Sequence, residues 1–387
     1  MLVPKLRFKE FTDEWEILKL KNIAISITKG TTPKNYSQKG ISFIKVENVV
    51  DGRIIKINSY INESTHLSEL KRSILKEGDI LFSIAGSLGR TTIINKEHLP
   101  ANTNQALSII EIKDKNKYNI QYIEKYLNCN KIKLYIKQNL SVGAQPNLNL
   151  EQVGNIKIPF CSNEEQEKIA RLFTLLDKLI ELQQRKIEAL KLYKLYTFNN
   201  LFNNTLTKEI YLKQILKKWT KKNIDNKYHY VESVSNKYGF IAQSEQFEDR
   251  NVASLDKSNY YVIEENVFAY NPSRLNVGSL ALKDNDKISL VSPLYECFTT
   301  SVNNKFLLEW FNSSIFKRET YSRYEGGVRN TLTFNNLTTI PIRIPNIETQ
   351  EYLANFFEQY KKEIIITNNS LEKLNLLKKG LLQQMFV

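Results

Sequence analysis

A long segment of this chain occurs twice. Shifted by 184 positions, residues 148–202 align without a gap on residues 332–386, and 15 of the 55 pairs are identical, against about four expected by composition. The identities include Glu164/Glu348, Gln166/Gln350, Glu167/Glu351, Ala170/Ala354, Phe173/Phe357, Ile180/Ile364, Leu190/Leu374 and Lys194/Lys378. Upstream the match continues as similarity: Tyr122-Ile123 faces Phe306-Leu307, Tyr126-Leu127 faces Trp310-Phe311, and Gly143 with Leu148 faces Gly327 with Leu332. Two copies, each about half of 387 residues, describe a duplicated molecule. A solenoid needs three or more short units.

The repeated segment has helical periodicity. Phe173, Leu176, Ile180, Gln183, Ile187 and Leu190 step by three and four, as do Phe357, Tyr360, Ile364, Thr367, Leu371 and Leu374. Both read as coiled-coil seams. No glycine or proline interrupts 164–202, and the second copy has one glycine, Gly380, near its end. Ser162 or Asn163 can cap the first helix, and Glu164, Glu165 and Glu167 sit in its positive first turn. A helix over 164–202 spans about 58 Å, too long to bury its seam alone, so its sister helix is the expected partner. Two seam slots are polar in both copies, Gln183/Thr367 and Lys194/Lys378. Such residues either fix register at a cost in stability or lie where the coil opens.

Before each helix the sequence is mixed α/β. Residues 41–46, 79–84 and 106–112 are strand-like and 118–138 helical; 266–270 and 279–282 are strand-like and 305–318 helical. The expected class is α+β, with four segments: a globular domain over 1–160, a long helix over 161–204, a second domain over 205–345 and a second helix over 346–387.

The formal charge is +14, and where it sits matters. Residues 1–163 carry 24 Lys/Arg and 15 Asp/Glu, residues 164–202 carry 7 and 6, residues 203–347 carry 19 and 15, and residues 348–387 carry 5 of each. The surplus therefore lies on the globular segments. An AT-rich genome raises lysine everywhere, but it does not sort charge this way. Basic domains on a neutral helical frame suit nucleic acid on the domains and protein on the frame. Three cysteines and three histidines, none at ligand spacing, argue against a disulfide framework or a metal site and suit a reducing, cytoplasmic setting. The first residues lack the apolar run of a signal peptide, and no run of 18 apolar residues exists.

Three local patterns imitate catalytic motifs. Gly86-Ser-Leu-Gly89-Arg90 has the wrong spacing for a P-loop and reads as a tight turn. Asn271-Pro272-Ser273-Arg274 lacks the second proline and the aromatic of the amino-methyltransferase loop. Asp79 with Glu111-Ile112-Lys113 matches a nuclease metal site only loosely. No catalytic residue and no metal ligand is assigned. Candidate DNA contacts are Lys29, Thr31, Thr32 and Lys34 in a turn-rich loop, Ser87 and Arg90 in the glycine turn, and Asn102, Asn104 and Gln105, whose amides suit adenine edges. Gln145 is added, and in the second domain Asn271, Ser273, Arg274, Arg323 and Arg329, with arginine suited to guanine.

These features together resemble the specificity subunit of type I restriction–modification systems. The resemblance rests on Pro4-Lys-Leu-Arg-Phe8, Phe11-Thr-Asp-Glu-Trp15, Thr28-Lys-Gly-Thr-Thr-Pro33, Glu77-Gly-Asp-Ile-Leu-Phe82, Gly143-Ala-Gln-Pro-Asn-Leu148, Ile156-Lys-Ile-Pro159 and Glu164-Glu-Gln166. In the second half Tyr270-Asn-Pro-Ser-Arg274, Gly278 and Glu348-Thr-Gln350 match less literally; Thr349 replaces the second glutamate, and Arg343 occupies the place of Pro159. The resemblance implies two target-recognition domains separated by two antiparallel coiled-coil helices in a pseudo-twofold body. Each domain would read half of a bipartite, asymmetric DNA target, and the helices would set the spacer. It implies a non-catalytic chain without a cofactor. Its partners would be double-stranded DNA, two modification (methyltransferase) subunits using S-adenosylmethionine and two restriction (motor/nuclease) subunits using ATP and Mg2+. Two other classes stay open: a standalone methyltransferase or nuclease-type enzyme, and a coiled-coil scaffold.

Overall fold

The computed structural model describes residues 3–140, 146–204, 207–236, 238–243, 256–325 and 330–386. The helices used below are α1 (Ile120–Leu127), α2 (Asn130–Asn139), α3 (Asn163–Asn204), α4 (Asn304–Phe311), α5 (Ser314–Tyr321) and α6 (Ile347–Gln384). The chain forms two compact units, Met1–Arg185 with Asn368–Val387, and Lys186–Thr367. The division falls within α3 and α6, not at the domain–helix junctions expected from the sequence. The seam explains this. Ile169, Phe173 and Leu176 join the core that holds Trp15, Tyr122 and Ile158, whereas Phe198, Leu353 and Phe357 join the core that holds Phe268, Phe306 and Trp310. Each helical stretch is thus core material of one body.

The first unit contains an antiparallel four-stranded sheet in the order Ala24–Lys29, Leu107–Ile112, Ile80–Ser83, Thr91–Ile93. Its two central strands, Leu107–Ile112 and Ile80–Ser83, are buried on both faces, so they lack the polar alternation of a half-exposed sheet; the edge strand Ala24–Lys29 is partly exposed. Ile80, Phe82, Ile110 and Ile112 face the helices. The alternate residues Leu81, Leu107 and Ile109 face a smaller core, as the two-residue period of a strand requires. A strand pair, Glu16–Lys19 with Lys157–Phe160, leads into α3. The second unit repeats the plan with Leu216–Lys218, Glu296–Thr300, Phe268–Tyr270 and Leu280–Leu282 in one sheet, and Lys208–Tyr211 paired with Pro341–Ile344. The units differ at the outer sheet. The first has Tyr60–Ile61, Ile41–Ile44 and Ala101–Thr103 in three strands; the second has two separate pairs, Glu232–Ser235 with Gly239–Ala242 and Tyr261–Ile263 with Ser289–Val291.

The single helices expected at 118–138 and 305–318 are each broken in two, α1/α2 and α4/α5. The breaks, at Asn128–Cys129 and Asn312–Ser313, are 184 residues apart. Cys129 and Ser313 are extended, and the Ser313 hydroxyl accepts the Phe316 N–H at 3.2 Å. The serine thereby offers the backbone an alternative to continuing the helix; Cys129 makes no such side-chain bond.

Within each unit the two long helices run antiparallel. In the first, Phe173 stacks on Phe386 at 5.9 Å and Asp177 meets Lys378 at 2.6 Å. In the second, Lys186 meets Glu363 at 2.5 Å and Phe198 packs on Phe357 at 5.9 Å. Phe173, Leu176, Ile180, Ile187, Phe357 and Tyr360 are buried; Leu190, Ile364, Leu371 and Leu374 are half-buried.

A glutamine fastens each globular body to its long helix. Gln166 accepts the Asn119 N–H at 3.0 Å and donates to the Lys117 and Cys161 carbonyls. Gln350 accepts the Asn303 N–H at 3.0 Å and donates to the Pro345 carbonyl. Asn119 and Asn303 are the N-caps of α1 and α4, so one buried amide satisfies polar backbone at two helix starts.

Candidate nucleic-acid interface

In the first unit the loop at 29–34 and the turn at 103–105 are brought together by main-chain contact. The Thr31 N–H donates to the Thr103 carbonyl at 3.0 Å. A Cβ on Gly30 would lie 2.2 Å from that same carbonyl oxygen, so only glycine permits the approach. Thr32 Oγ1 donates to Gln105 Oε1. Lys29, Thr31, Thr32, Lys34 and Gln105 are all exposed, and Asn104 lies beside them, half-buried. Six of the sequence candidates therefore share one surface.

Others do not reach it. Asn102 is fully buried. Its amide donates to the Leu70 carbonyl at 3.0 Å and the Ser73 hydroxyl at 3.2 Å, and its oxygen meets His66 Nδ1. This corrects the sequence expectation: the side chain holds a core network and has no group left for a base. Arg90 is half-buried, and its guanidinium donates to the Val46 and Val49 carbonyls at 3.2 and 3.0 Å, which makes it a loop clamp. Ser87 is exposed in the turn between Ile80–Ser83 and Thr91–Ile93, where Gly86 and Gly89 adopt positive φ; the glycine motif is a hairpin turn here. Gln145 and Arg329 lie outside the described residues.

In the second unit Asn271 caps its own turn by accepting the Ser273 N–H at 3.0 Å. Ser273 and Arg274 are exposed, with Arg274 on the first turn of the short helix Pro272–Val277. Arg323 is tied to Glu319 through its carbonyl and carboxylate.

Sequence reasoning missed a second basic surface on this unit. Lys287 Nζ stands 3.4 Å from the Tyr230 ring centre, Lys222 5.7 Å from Tyr261 and Lys227 5.5 Å from Tyr228. Backbone contacts join them: Lys222 bridges to Tyr261, and the Leu290 N–H donates to the Tyr230 carbonyl at 2.8 Å. The signal was present as lysines interleaved with aromatics over 217–230. Lysines over tyrosine faces suit contact with a phosphate backbone and stacking of bases. The first unit has a smaller equivalent, Lys45 4.6 Å from the half-exposed Tyr36 ring.

The nuclease-like pair is put to structural use. Asp79 accepts the Lys76 N–H at 2.8 Å, and Glu111 pairs with Lys76 Nζ at 2.9 Å. Burial pushes the Asp79 carboxyl up to about 6, with the Lys76 N–H opposing and the charge of Glu111 adding to the rise. Among the described residues no three His, Cys, Asp or Glu side chains gather as a metal site. No described helix is long and apolar enough to cross a membrane.

Residues 12–192 match the family described as type I restriction modification DNA specificity domain. The type I restriction enzyme MjaVIII specificity subunit of Methanocaldococcus jannaschii is 27% identical over 218 residues, covering 54% of this chain and 50% of that protein. The EcoBI specificity subunit of Escherichia coli is 28% identical over 141 residues, 36% of this chain and 29% of that protein. The chain spans about half the length, or less, of these curated relatives. Among solved structures, the type I restriction–modification S subunit from M. genitalium superposes with a TM-score of 0.61 at 14% identity, covering 100% of this chain and 99% of that one. A chain from a study of type I system assembly and conformational transition gives 0.56 at 11% identity, covering 97% and 98%. The fold is that of the S subunits.

Proposed function

We propose, from the premise that residues 12–192 are a type I restriction–modification DNA specificity domain within a chain of S-subunit fold, that this protein is the sequence-reading component of such a system. Each globular body reads one half of a bipartite, asymmetric target. The long helices set the number of unread base pairs between the halves and offer a surface to two modification subunits; two restriction subunits complete the cytoplasmic complex. The chain itself carries out no chemistry and holds no cofactor. S-adenosylmethionine, ATP and Mg2+ belong to the partner subunits.

The observation that carries this reading is the family match over the first body, joined to loops that converge on one exposed basic surface at Lys29, Lys34 and Gln105. Phosphate contact by lysine makes affinity fall steeply with salt, whereas base contact does not transfer between sequences. The test is genome-wide mapping of methylated adenine in a host with and without this gene, together with duplex binding across a salt series. A split motif that disappears with the gene supports the reading. Salt-insensitive binding, or methylation or cleavage by the purified chain alone, overturns it.

A further inference from the structure

Each unit holds a partly buried charged triad, and the polarity of one is the reverse of the other. In the first unit Lys125 Nζ of α1 lies 2.7 Å from Asp177 Oδ2 of α3 and 2.8 Å from the buried carboxylate of its neighbour Glu124, whose counterpart in the second unit is Leu308; the other Asp177 oxygen lies 2.6 Å from Lys378 Nζ of α6. In the second, the two oxygens of Glu309 of α4 are held at 2.6 Å by Lys194 of α3 and Lys361 of α6. The offset of 184 residues that aligns the repeats carries 125 onto 309, 177 onto 361 and 194 onto 378. The same three positions are therefore used twice. The slot contributed by the opposite long helix is lysine in both copies. The globular position changes from lysine to glutamate, and the adjoining helix position from aspartate to lysine.

The carboxylates are the shielded members, whereas Lys361 is 48% exposed. The Asp177 and Glu309 side chains are 15% and 3% exposed. Burial pushes both carboxyls up, but two ammonium groups on each outweigh it and hold both below the ordinary range. A like charge at such a site costs far more than at a surface pair, because the remaining charge is left uncompensated. Changing either member alone therefore creates a repulsive state, so the observed reversal needs both changes together.

We propose that the triad is a docking address, by which each globular domain recognises its own stretch of long helix through opposite charge. Glu309 set against position 177 would meet aspartate. Lys125 set against position 361 would meet a second lysine, with Lys194 a third, and only its neighbour Glu124 would offset them. Each domain is thus attracted to its own helical segment and repelled by the other's, a pairing rule with an attractive and a repulsive element. This is independent of DNA reading. It limits domain exchange: a transplanted domain seats only when its position 125 or 309 opposes the charge at 177 or 361.

The test is charge exchange in the full-length chain. Glu309→Lys alone, and Lys361→Asp alone, should each lower the thermal midpoint by about 5 °C or more. Together they recreate the polarity of the first unit and should recover to within about 2 °C of the parent. Combining Glu309→Lys with Asp177→Lys, which lies in the other unit, should bring no recovery. The neutral pair Glu309→Gln and Lys361→Gln supplies a milder cycle, read by urea midpoint, should the charged variants be insoluble; there a clear coupling is expected. Additive losses in either cycle, or equal rescue by Asp177→Lys, overturn the address.

Discussion

At the start of α3, Glu165 is fully buried and accepts from Arg7 Nε and Nη2, one on each carboxylate oxygen, both at 2.8 Å. At the start of α6, Thr349 stands in the same place in the repeat, and among the described residues no arginine fork closes over it. One position later the units agree again, in Gln166 and Gln350 and their bonds to the N-caps of α1 and α4. The shared part of the junction is thus an amide that satisfies backbone. The variable part is what closes above it. In the first unit the closing piece is the N-terminal segment, which is also tied to the end of α6 by the Leu6 N–H and the Gln384 carbonyl at 3.0 Å. Main-chain needs are identical in both copies, so the residue serving them is kept. The groups above answer to local neighbours, which differ.

The sharpest way to break this comparison is Arg7→Met. It leaves a buried carboxylate unpaired and should destabilise the first unit by about 3–5 kcal/mol, while Thr349→Ala costs less than about 1 kcal/mol. Urea denaturation of the two variants reads the contrast, and similar losses would refute it. Gln166→Ala and Gln350→Ala come next. Each should cost about 1–3 kcal/mol, because a buried N–H loses its partner, and the two losses should be similar. Hydrogen exchange at Asn119 and Asn303 checks whether the same amides open.

A third contrast separates core from surface among the polar candidates. Arg274→Ala should leave the melting temperature unchanged yet weaken binding of the cognate duplex by about 1–3 kcal/mol. Asn102→Ala should do the opposite, lowering stability with the recognised half-site unaltered. The smallest effect concerns Asp79. Its counterpart is the buried Val267: the Gly78 N–H donates to the Ile94 carbonyl and the Ile94 N–H to the Asp79 carbonyl, as the Asn266 N–H donates to the Lys283 carbonyl and the Lys283 N–H to the Val267 carbonyl. Because burial raises the Asp79 carboxyl to about 6, the protonated form favours the fold. That stabilisation is present below pH 4 and is lost as pH rises through 6, about 1–2 kcal/mol after solvent screening. Asp79→Asn should flatten this part of the melting-temperature profile, and an unchanged slope would refute the assignment.

Long-range organisation was legible in the residues themselves. A three- and four-residue spacing of Phe173, Ile180 and Ile187 declares a seam whatever packs on it, because helix geometry places those side chains on one stripe. The recurrence of that stripe 184 residues later declares a partner. The charge difference between domains and helices needed only counting. What stayed hidden was anything decided by neighbours distant in sequence. Asn102 and Gln105 look alike as polar loop residues, yet one is sealed beneath His66 and Leu70 and the other lies in solvent. The breaks at Cys129 and Ser313 lie inside segments of good helical period. The reversed triads were invisible because Lys125, Asp177 and Lys378 come from three separate stretches of chain. Periodicity is a local property that sequence carries in full. Burial and pairing depend on which distant side chain removes water from a group, and only the folded chain decides that.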